Sequence, residues 1–149
     1  MINIDQIKQL REETSISISE CKKALEESGG DSEKAKQILR EWGKDVAQKK
    51  QERETGEGLV EGYLHQTGRV GSLVAVRCET DFVARSDEFK NLCHELAMQV
   101  AFAEPDDVES FLGQEYIKDS ARTVGDMVNE YIAKLGENIV IERFVRFHI

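Results

Sequence analysis

An α+β fold in two parts is predicted by three features of the sequence. The first 45 residues carry short apolar stripes of helical spacing, separated by turn residues. Residues 59–79 change to period two around a glycine-containing turn, the pattern of a β-hairpin. Further helical stripes and a final alternating segment complete the chain. Together these describe an N-terminal three-helix bundle followed by a small α+β domain, with a three-stranded antiparallel sheet and packed helices.

Helix one presents Ile4, Ile7 and Leu10, with Asn3 and Gln6 at the cap and third positions of a helix start. Helix two begins at Ser17, with Glu20 completing a capping box, and shows Ile18, Cys21, Ala24 and Leu25. Gly29-Gly30 stops it. Asp31 caps helix three, whose stripe is Ala35, Ile38, Leu39 and Trp42. No stripe this short makes a stable lone helix, but three can bury a common seam. Residues 1–45 form this first domain. Residues 46–58 are read as a linker: Lys44 to Glu54 is polar and can extend helix three, and Thr55-Gly56-Glu57-Gly58 breaks it.

Residues 59–149 form the α+β domain. Leu59–His65 and Val70–Glu79 are strands joined by Gln66-Thr67-Gly68-Arg69. Val74, Val76 and Cys78 share one side of the second strand; Leu73 and Ala75 share the other. A helix from about Asp87 to Phe102 presents Phe89, Leu92, Cys93, Leu96 and Val100. Glu104-Pro105-Asp106-Asp107 is a break. Thr123 and Asp126 then cap a helix bearing Val124, Val128, Tyr131, Ile132 and Leu135, which Gly136 ends. Asn138–Ile149 is a last strand, with Ile139, Ile141, Val145, Phe147 and Ile149 alternating. The order is strand, strand, helix, helix, strand, with helices on one face of the sheet.

Bulk properties exclude several functions. No apolar run approaches the ~20 residues a membrane span needs, and Met1 to Gln6 lacks the start of a signal peptide. A cytoplasmic protein is expected. The net charge is −9, and residues 51–149 carry all of the acidic excess. A nucleic-acid binder needs a basic face. None is visible, so protein partners are expected and direct nucleic-acid binding is not. Cys21, Cys78 and Cys93 sit in apolar patterns and read as core residues, not a disulfide framework. His65, His94 and His148 are scattered, without metal-ligand spacing. Phosphate-loop, dinucleotide and nucleophile-elbow motifs are absent. Neither an enzyme nor a metal or other cofactor is expected.

One segment breaks the local pattern. Between the second strand and the helix at Asp87 runs Thr80-Asp81-Phe82-Val83-Ala84-Arg85, with Phe82 and Val83 where polar residues belong. Phe82 either tucks under the helix as core or stands out as an aromatic anchor flanked by an acid and a base.

Cys78-Glu79-Thr80-Asp81-Phe82-Val83-Ala84-Arg85 resembles the most characteristic motif of the elongation factor Ts family. Thr67-Gly68-Arg69-Val70-Gly71, Asp87-Glu88-Phe89 and Ala97-Met98-Gln99 are similar to that family as well. So are Leu10-Arg11, Thr14, Cys21-Lys22-Lys23-Ala24-Leu25, Gly30-Asp31 and Leu39-Arg40 near the start. Ile132-Ala133-Lys134-Leu135-Gly136-Glu137-Asn138-Ile139 and Arg143 to Phe147 resemble its closing motif. The resemblance spans nearly the whole chain. It implies a ubiquitin-associated-like N-terminal bundle and a dimerisation-type α+β domain. It also implies a guanine-nucleotide exchange factor that binds elongation factor Tu carrying GDP and promotes loss of the nucleotide. In that family the Thr-Asp-Phe-Val tip intrudes beside the Mg²⁺ site of the GTPase. Carried over, Phe82 is the wedge, Asp81 its acidic companion, and Thr80 and Val83 shape the turn. Lys22 and Arg85 are further partner contacts, and the dimerisation-type domain allows a homodimer.

The chain departs from the family pattern in two places. Ser15 to Glu20 replaces a glycine- and methionine-rich turn. A long charged helical segment is missing between Phe102 and Lys118. The second departure opens an alternative: a shortened paralogue that holds elongation factor Tu as chaperone or regulator, with little exchange activity.

Overall fold

Asn3 starts the first helix with a complete capping box. Its side chain accepts from the Gln6 N–H at 2.8 Å, and the Gln6 side chain accepts from the Asn3 N–H at 3.3 Å. The computed structural model describes residues 2–149; Met1 lies outside the described residues. Helix α1 (Ile4–Thr14) ends at Ser15, which takes a left-handed conformation. Helix α2 (Ile18–Glu27) is capped by Ser17, which accepts from the Glu20 N–H at 3.3 Å. Here the expected capping box is only half formed. The Glu20 carboxylate accepts the Ser17 hydroxyl at 3.1 Å, not the backbone N–H of Ser17. Asp31 caps α3 (Ser32–Lys50) by accepting from the N–H groups of Glu33 and Lys34. Leu10, Cys21, Ala24, Leu25, Ala35 and Leu39 form the seam between the three.

Helix α3 continues past residue 45, as the polar run from Lys44 allows. It runs to Lys50, because Lys44–Lys50 contains no breaker and has apolar support below it. A Cβ added at Gly43 would lie 3.8 Å from the Ala133 side chain, so the helices approach closely there. Ala47, in the segment read as a linker, is buried in the core of the second part.

That core is built on a sheet of order β1-β2-β5, antiparallel throughout. Strands β1 (Glu57–Leu64) and β2 (Val70–Cys78) form the expected hairpin, with Gly68 at φ +71° in the turn. Next come α4 (Asp81–Ala84), α5 (Asp87–Ala103), α6 (Val108–Gly113), the short strands β3 (Glu115–Tyr116) and β4 (Asp119–Thr123), α7 (Val124–Leu135) and β5 (Val140–His148). Helix α5 lies across the sheet. Phe89, Leu92, Cys93, Leu96 and Val100 are buried against Val74, Val76 and Cys78. The fold is α+β with helices on one face, as predicted. Among the described residues no helix is long and apolar enough to cross a membrane.

Two expectations are corrected. The order strand, strand, helix, helix, strand omits α4, α6 and the β3–β4 hairpin. These elements are too short to show a periodic pattern. The hairpin is held on its neighbours by polar side chains: the Tyr116 hydroxyl and Lys118 both donate to Glu95 of α5 at 2.7 Å, and Arg122 pairs with Glu130 of α7. Burial acts to raise the Glu95 carboxyl, yet Lys118 and Tyr116 together hold it below the usual range.

The second correction concerns the last strand. A single alternation would put all five residues from Ile139 to Ile149 on one face. Pairing instead skips Glu142: Val76 faces Ile141 and Ala75 faces Arg143. A bulge inserts one extra residue, and a one-residue shift turns every later side chain over. Ile139 and Ile141 therefore point into the core, whereas Val145, Phe147 and Ile149 are exposed. Phe144 packs against the core in their place. The outer face of the sheet gathers Val60, Leu64, Leu73, Val145 and Phe147, all exposed. Leu73 pairs with both Gly62 and Val145 at its centre.

Two phenylalanines of similar sequence context separate core from surface. Phe89 is fully buried and Phe82 is not. Phe89→Ala is expected to lower unfolding stability by about 3–5 kcal/mol. Phe82→Ala is expected to change it by about 0.5 kcal/mol or less. Urea unfolding followed by circular dichroism measures both; similar losses would mean that Phe82 is a core residue.

Candidate partner-binding site

The segment between β2 and α5 is not an irregular connection. It folds into α4, a single helical turn. Thr80 is its N-cap, accepting from the Val83 N–H at 3.2 Å. Ser86 closes it from the other side: its hydroxyl donates to the Val83 carbonyl at 2.7 Å, and its oxygen accepts from the Phe89 N–H at 3.2 Å as the N-cap of α5. One serine thus ends the tip and begins the next helix.

This turn sorts the side chains. Ala84 enters the core and Val83 packs partly against it. Phe82 stands 82% exposed. The reading of Phe82 as core is therefore overturned: the buried position in the turn is two residues later and holds a small side chain. Asp81 and Arg85, one turn apart, form an ion pair at 3.0 Å. Both are exposed, and a pair of this kind contributes about 0.5 kcal/mol at most. It orders the surroundings of Phe82 more than it stabilises the fold.

The base of the tip is fixed more firmly. The Glu137 carboxylate, just after α7, accepts from the N–H groups of Glu79 and Thr80 at 3.1 and 3.0 Å. It also accepts the Thr80 hydroxyl at 2.7 Å. The Glu79 carboxylate in turn accepts from the Asn138 N–H at 2.6 Å and meets Arg53 at 3.7 Å. The Asn138 side chain, itself buried, donates to the carbonyls of Gln51 and Arg53. Charge-assisted hydrogen bonds of this kind are the strong ones.

Thr80, Asp81, Phe82, Val83 and Arg85 thus come together in one feature. Lys22 does not join them. It is exposed on α2 of the bundle, 4.0 Å from Glu26. Glu79, Glu137 and Asn138 were not singled out for the site from the sequence. The usable signal was a pair of polar residues, Glu137-Asn138, set between the helix-ending Gly136 and the core residue Ile139.

No reactive group is set beside the tip. Among the described residues, no three His, Cys, Asp or Glu side chains gather as a metal-binding group. Cys78, which donates to the Thr80 carbonyl at 3.3 Å, is buried, and burial with Glu137 nearby pushes its thiol up to about 11. Burial pushes Cys93 up to about 12. The three thiols are free.

Fold and site together define a class: a small two-part α+β protein that presents a braced aromatic tip. Comparison with known proteins narrows this further. The family model for elongation factor Ts matches residues 79–149, from the base of the tip through β5. Elongation factor Ts of Thermoanaerobacter sp. (strain X514) is 45% identical, covering 99% of this chain and 94% of that protein. That of Caldanaerobacter subterraneus subsp. tengcongensis is 44% identical, covering 99% and 96%. That of Rubrobacter xylanophilus is 39% identical, covering 98% of each. The chain belongs to the elongation factor Ts family, the translation elongation factors of that name. Each of these alignments runs over 191 or 192 residues against 149 here, so the relatives carry residues that this chain lacks.

The thiols give a pH dependence of known sign. Their folded-state pKa values lie above the ordinary value of 9.0. The unfolded chain therefore loses those protons first. Their contribution to stability is complete below pH 9 and is lost as pH rises toward 11 and 12. Urea midpoints should fall from pH 8 to pH 10, and less so in a Cys78→Ala, Cys93→Ala double variant. Native thiols should also react with a disulfide reagent at pH 8 at least about tenfold more slowly than in urea.

Proposed function

We propose that this chain is a guanine-nucleotide exchange factor that binds elongation factor Tu carrying GDP and promotes release of the nucleotide, acting in the cytoplasm. The observation that carries this reading is the exposed Phe82 on a helical turn clamped at both ends. Leaving an aromatic ring in water forgoes about 2–3 kcal/mol of burial. That free energy becomes available when a partner covers the ring.

The chemistry of release follows from what holds GDP. Mg²⁺ bridges phosphate and protein oxygens in the GTPase. A wedge at that site moves the ion's ligands and leaves phosphate charge poorly compensated. Each ~1.4 kcal/mol taken from the release barrier gives a tenfold faster release. In this reading Phe82 is the wedge, Asp81 the acidic companion, and Thr80 and Val83 hold the turn. Arg85 and the distant Lys22 add contacts. By linkage, the factor binds the nucleotide-free partner more tightly than the GDP form.

The length difference from the relatives favours a second reading: a shortened paralogue that holds elongation factor Tu as chaperone or regulator with little exchange. Release of a fluorescent GDP from purified elongation factor Tu separates the two. Catalytic amounts of this chain should accelerate release, and Phe82→Ala should lose on the order of thirtyfold, the effect of a ~2 kcal/mol hot spot. Binding without acceleration would sink the exchange reading and leave the second one.

We further propose a homodimer through the outer face of the sheet. Val60, Leu64, Leu73, Val145 and Phe147 form one exposed apolar surface there. Contiguous apolar surface of this kind marks an interaction site, and one patch meeting its own copy about a two-fold axis satisfies itself. Sedimentation equilibrium should give a dimer mass for the wild type and a monomer mass for Leu73→Glu. A monomeric wild type at tens of micromolar, a range on the order of weak homodimer affinities, would refute it.

A further inference from the structure

We infer that Glu137 is the positioning residue of the tip: its carboxylate sets the direction in which Phe82 is presented. The inference rests on the exchange reading above, but its structural part can be tested without it.

Strand β2 ends at Cys78, so its ladder leaves the next two N–H groups without strand partners. Both are taken by one Glu137 oxygen, at 3.1 Å from Glu79 and 3.0 Å from Thr80. The other oxygen takes the Thr80 hydroxyl at 2.7 Å. A carboxylate held at both oxygens fixes orientation as well as distance. The chain therefore leaves the strand in one direction only.

The hydroxyl bond has a second effect. A threonine hydroxyl has one proton and two lone pairs. With the proton committed to Glu137, a lone pair is left for the Val83 N–H, at 3.2 Å. That bond caps the turn bearing Phe82. Glu137 thus sets the rotor of the residue that holds the helix. No Glu137 atom bonds to Phe82, Asp81 or Arg85 among the described residues, so it acts on them through Thr80.

Asn138 anchors the same point from behind. Its N–H goes to the Glu79 carboxylate, and its side chain goes to the carbonyls that follow α3. Two adjacent pairs, Glu79-Thr80 and Glu137-Asn138, bond crosswise. They join the end of β2, the end of α7 and the exit of the N-terminal bundle. A mainly structural glutamate would stabilise the domain evenly; this one grips the base of a single exposed turn.

The test uses the full chain as wild type, Glu137→Ala and Glu137→Gln, each with and without Phe82→Ala. First, amide hydrogen exchange is followed by NMR. In Glu137→Ala the amides of Glu79, Thr80 and Val83 should exchange at least about tenfold faster, while those of buried α5 residues keep wild-type protection. Unchanged tip amides, or equal loss of protection across α5, would overturn the inference whatever the protein does to its partner. Second, GDP release from elongation factor Tu is measured at saturating factor. Glu137→Ala should lose about tenfold in maximal rate, equal to ~1.4 kcal/mol, and Glu137→Gln, which keeps one acceptor oxygen, should recover part of it. In the Phe82→Ala background the same change should cost under about twofold, because the two residues act as one unit. Equal losses in both backgrounds would overturn positioning through the tip. If Phe82→Ala releases GDP as fast as wild type, the reading of Phe82 as the wedge fails, and the amide data alone decide whether Glu137 orders the turn.

Discussion

The chain between Cys78 and Phe89 is held by burial at both ends. Cys78 closes β2, which is flanked on both sides by paired strands and cannot shift without breaking two ladders. Phe89 opens the inward face of α5, under which the sheet is already filled by Val74 and Val76. Interiors packed to crystal density have no room for another large side chain. The connection folds outside, with Ala84 buried and Val83 packed partly against the core. The exposure of Phe82 thus follows from a full core on either side of it.

Much of this was legible in residue types. Asn3, Asp31, Thr123 and Gly136 mark helix ends by local chemistry that needs no tertiary partner, and each holds in the structure. The stripe Phe89, Leu92, Cys93, Leu96 and Val100 is long enough to give both the helix and its buried face. Where the outcome depends on distant residues, the pattern says little. The bulge at Glu142 left only a faint mark, the polar pair Glu142-Arg143 followed by the apolar pair Phe144-Val145. That α3 could continue past Trp42 was legible, but its close packing on α7, where an added Cβ at Gly43 would lie 3.8 Å from Ala133 and from Asn129, was not. At the site, the anomaly of Phe82 could be seen, but its direction could not. Glu137 left only a weak local signal, a polar pair between Gly136 and Ile139, because the backbone that its carboxylate grips lies some 57 residues away.

The region after α5 shows how a short chain keeps such a core closed. Glu104 takes a left-handed conformation and Pro105 follows, so α5 stops abruptly. A capping box at Asp107 and Ser110 starts α6, which buries Phe111 against Phe144. Phe144 is available only because the bulge turned that part of β5 inward. The same bulge turned Val145 and Phe147 outward. One extra residue in β5 therefore completes the core on one side of the sheet and creates the apolar surface on the other.

Rigidity at the tip has a thermodynamic purpose if nucleotide exchange is the function. A loose loop would lose about 1–2 kcal/mol of backbone entropy for every residue ordered on binding. Across Thr80–Arg85 that would consume more than burying one phenylalanine returns. The capping bonds at Thr80 and Ser86 move the ordering cost into folding of the domain. A second consequence matters more. A ligand shifts an equilibrium only by its difference in affinity for the two states. A flexible aromatic would settle equally well against the GDP-bound and the empty partner and would accelerate nothing, however tightly it bound. On the proposed reading, an ordered turn lets Phe82 favour the state in which the metal ligands have moved over the state in which they have not. On that reading Phe82 offers its apolar area from a backbone already ordered before the partner is met, so less of the difference in affinity is spent on ordering the chain.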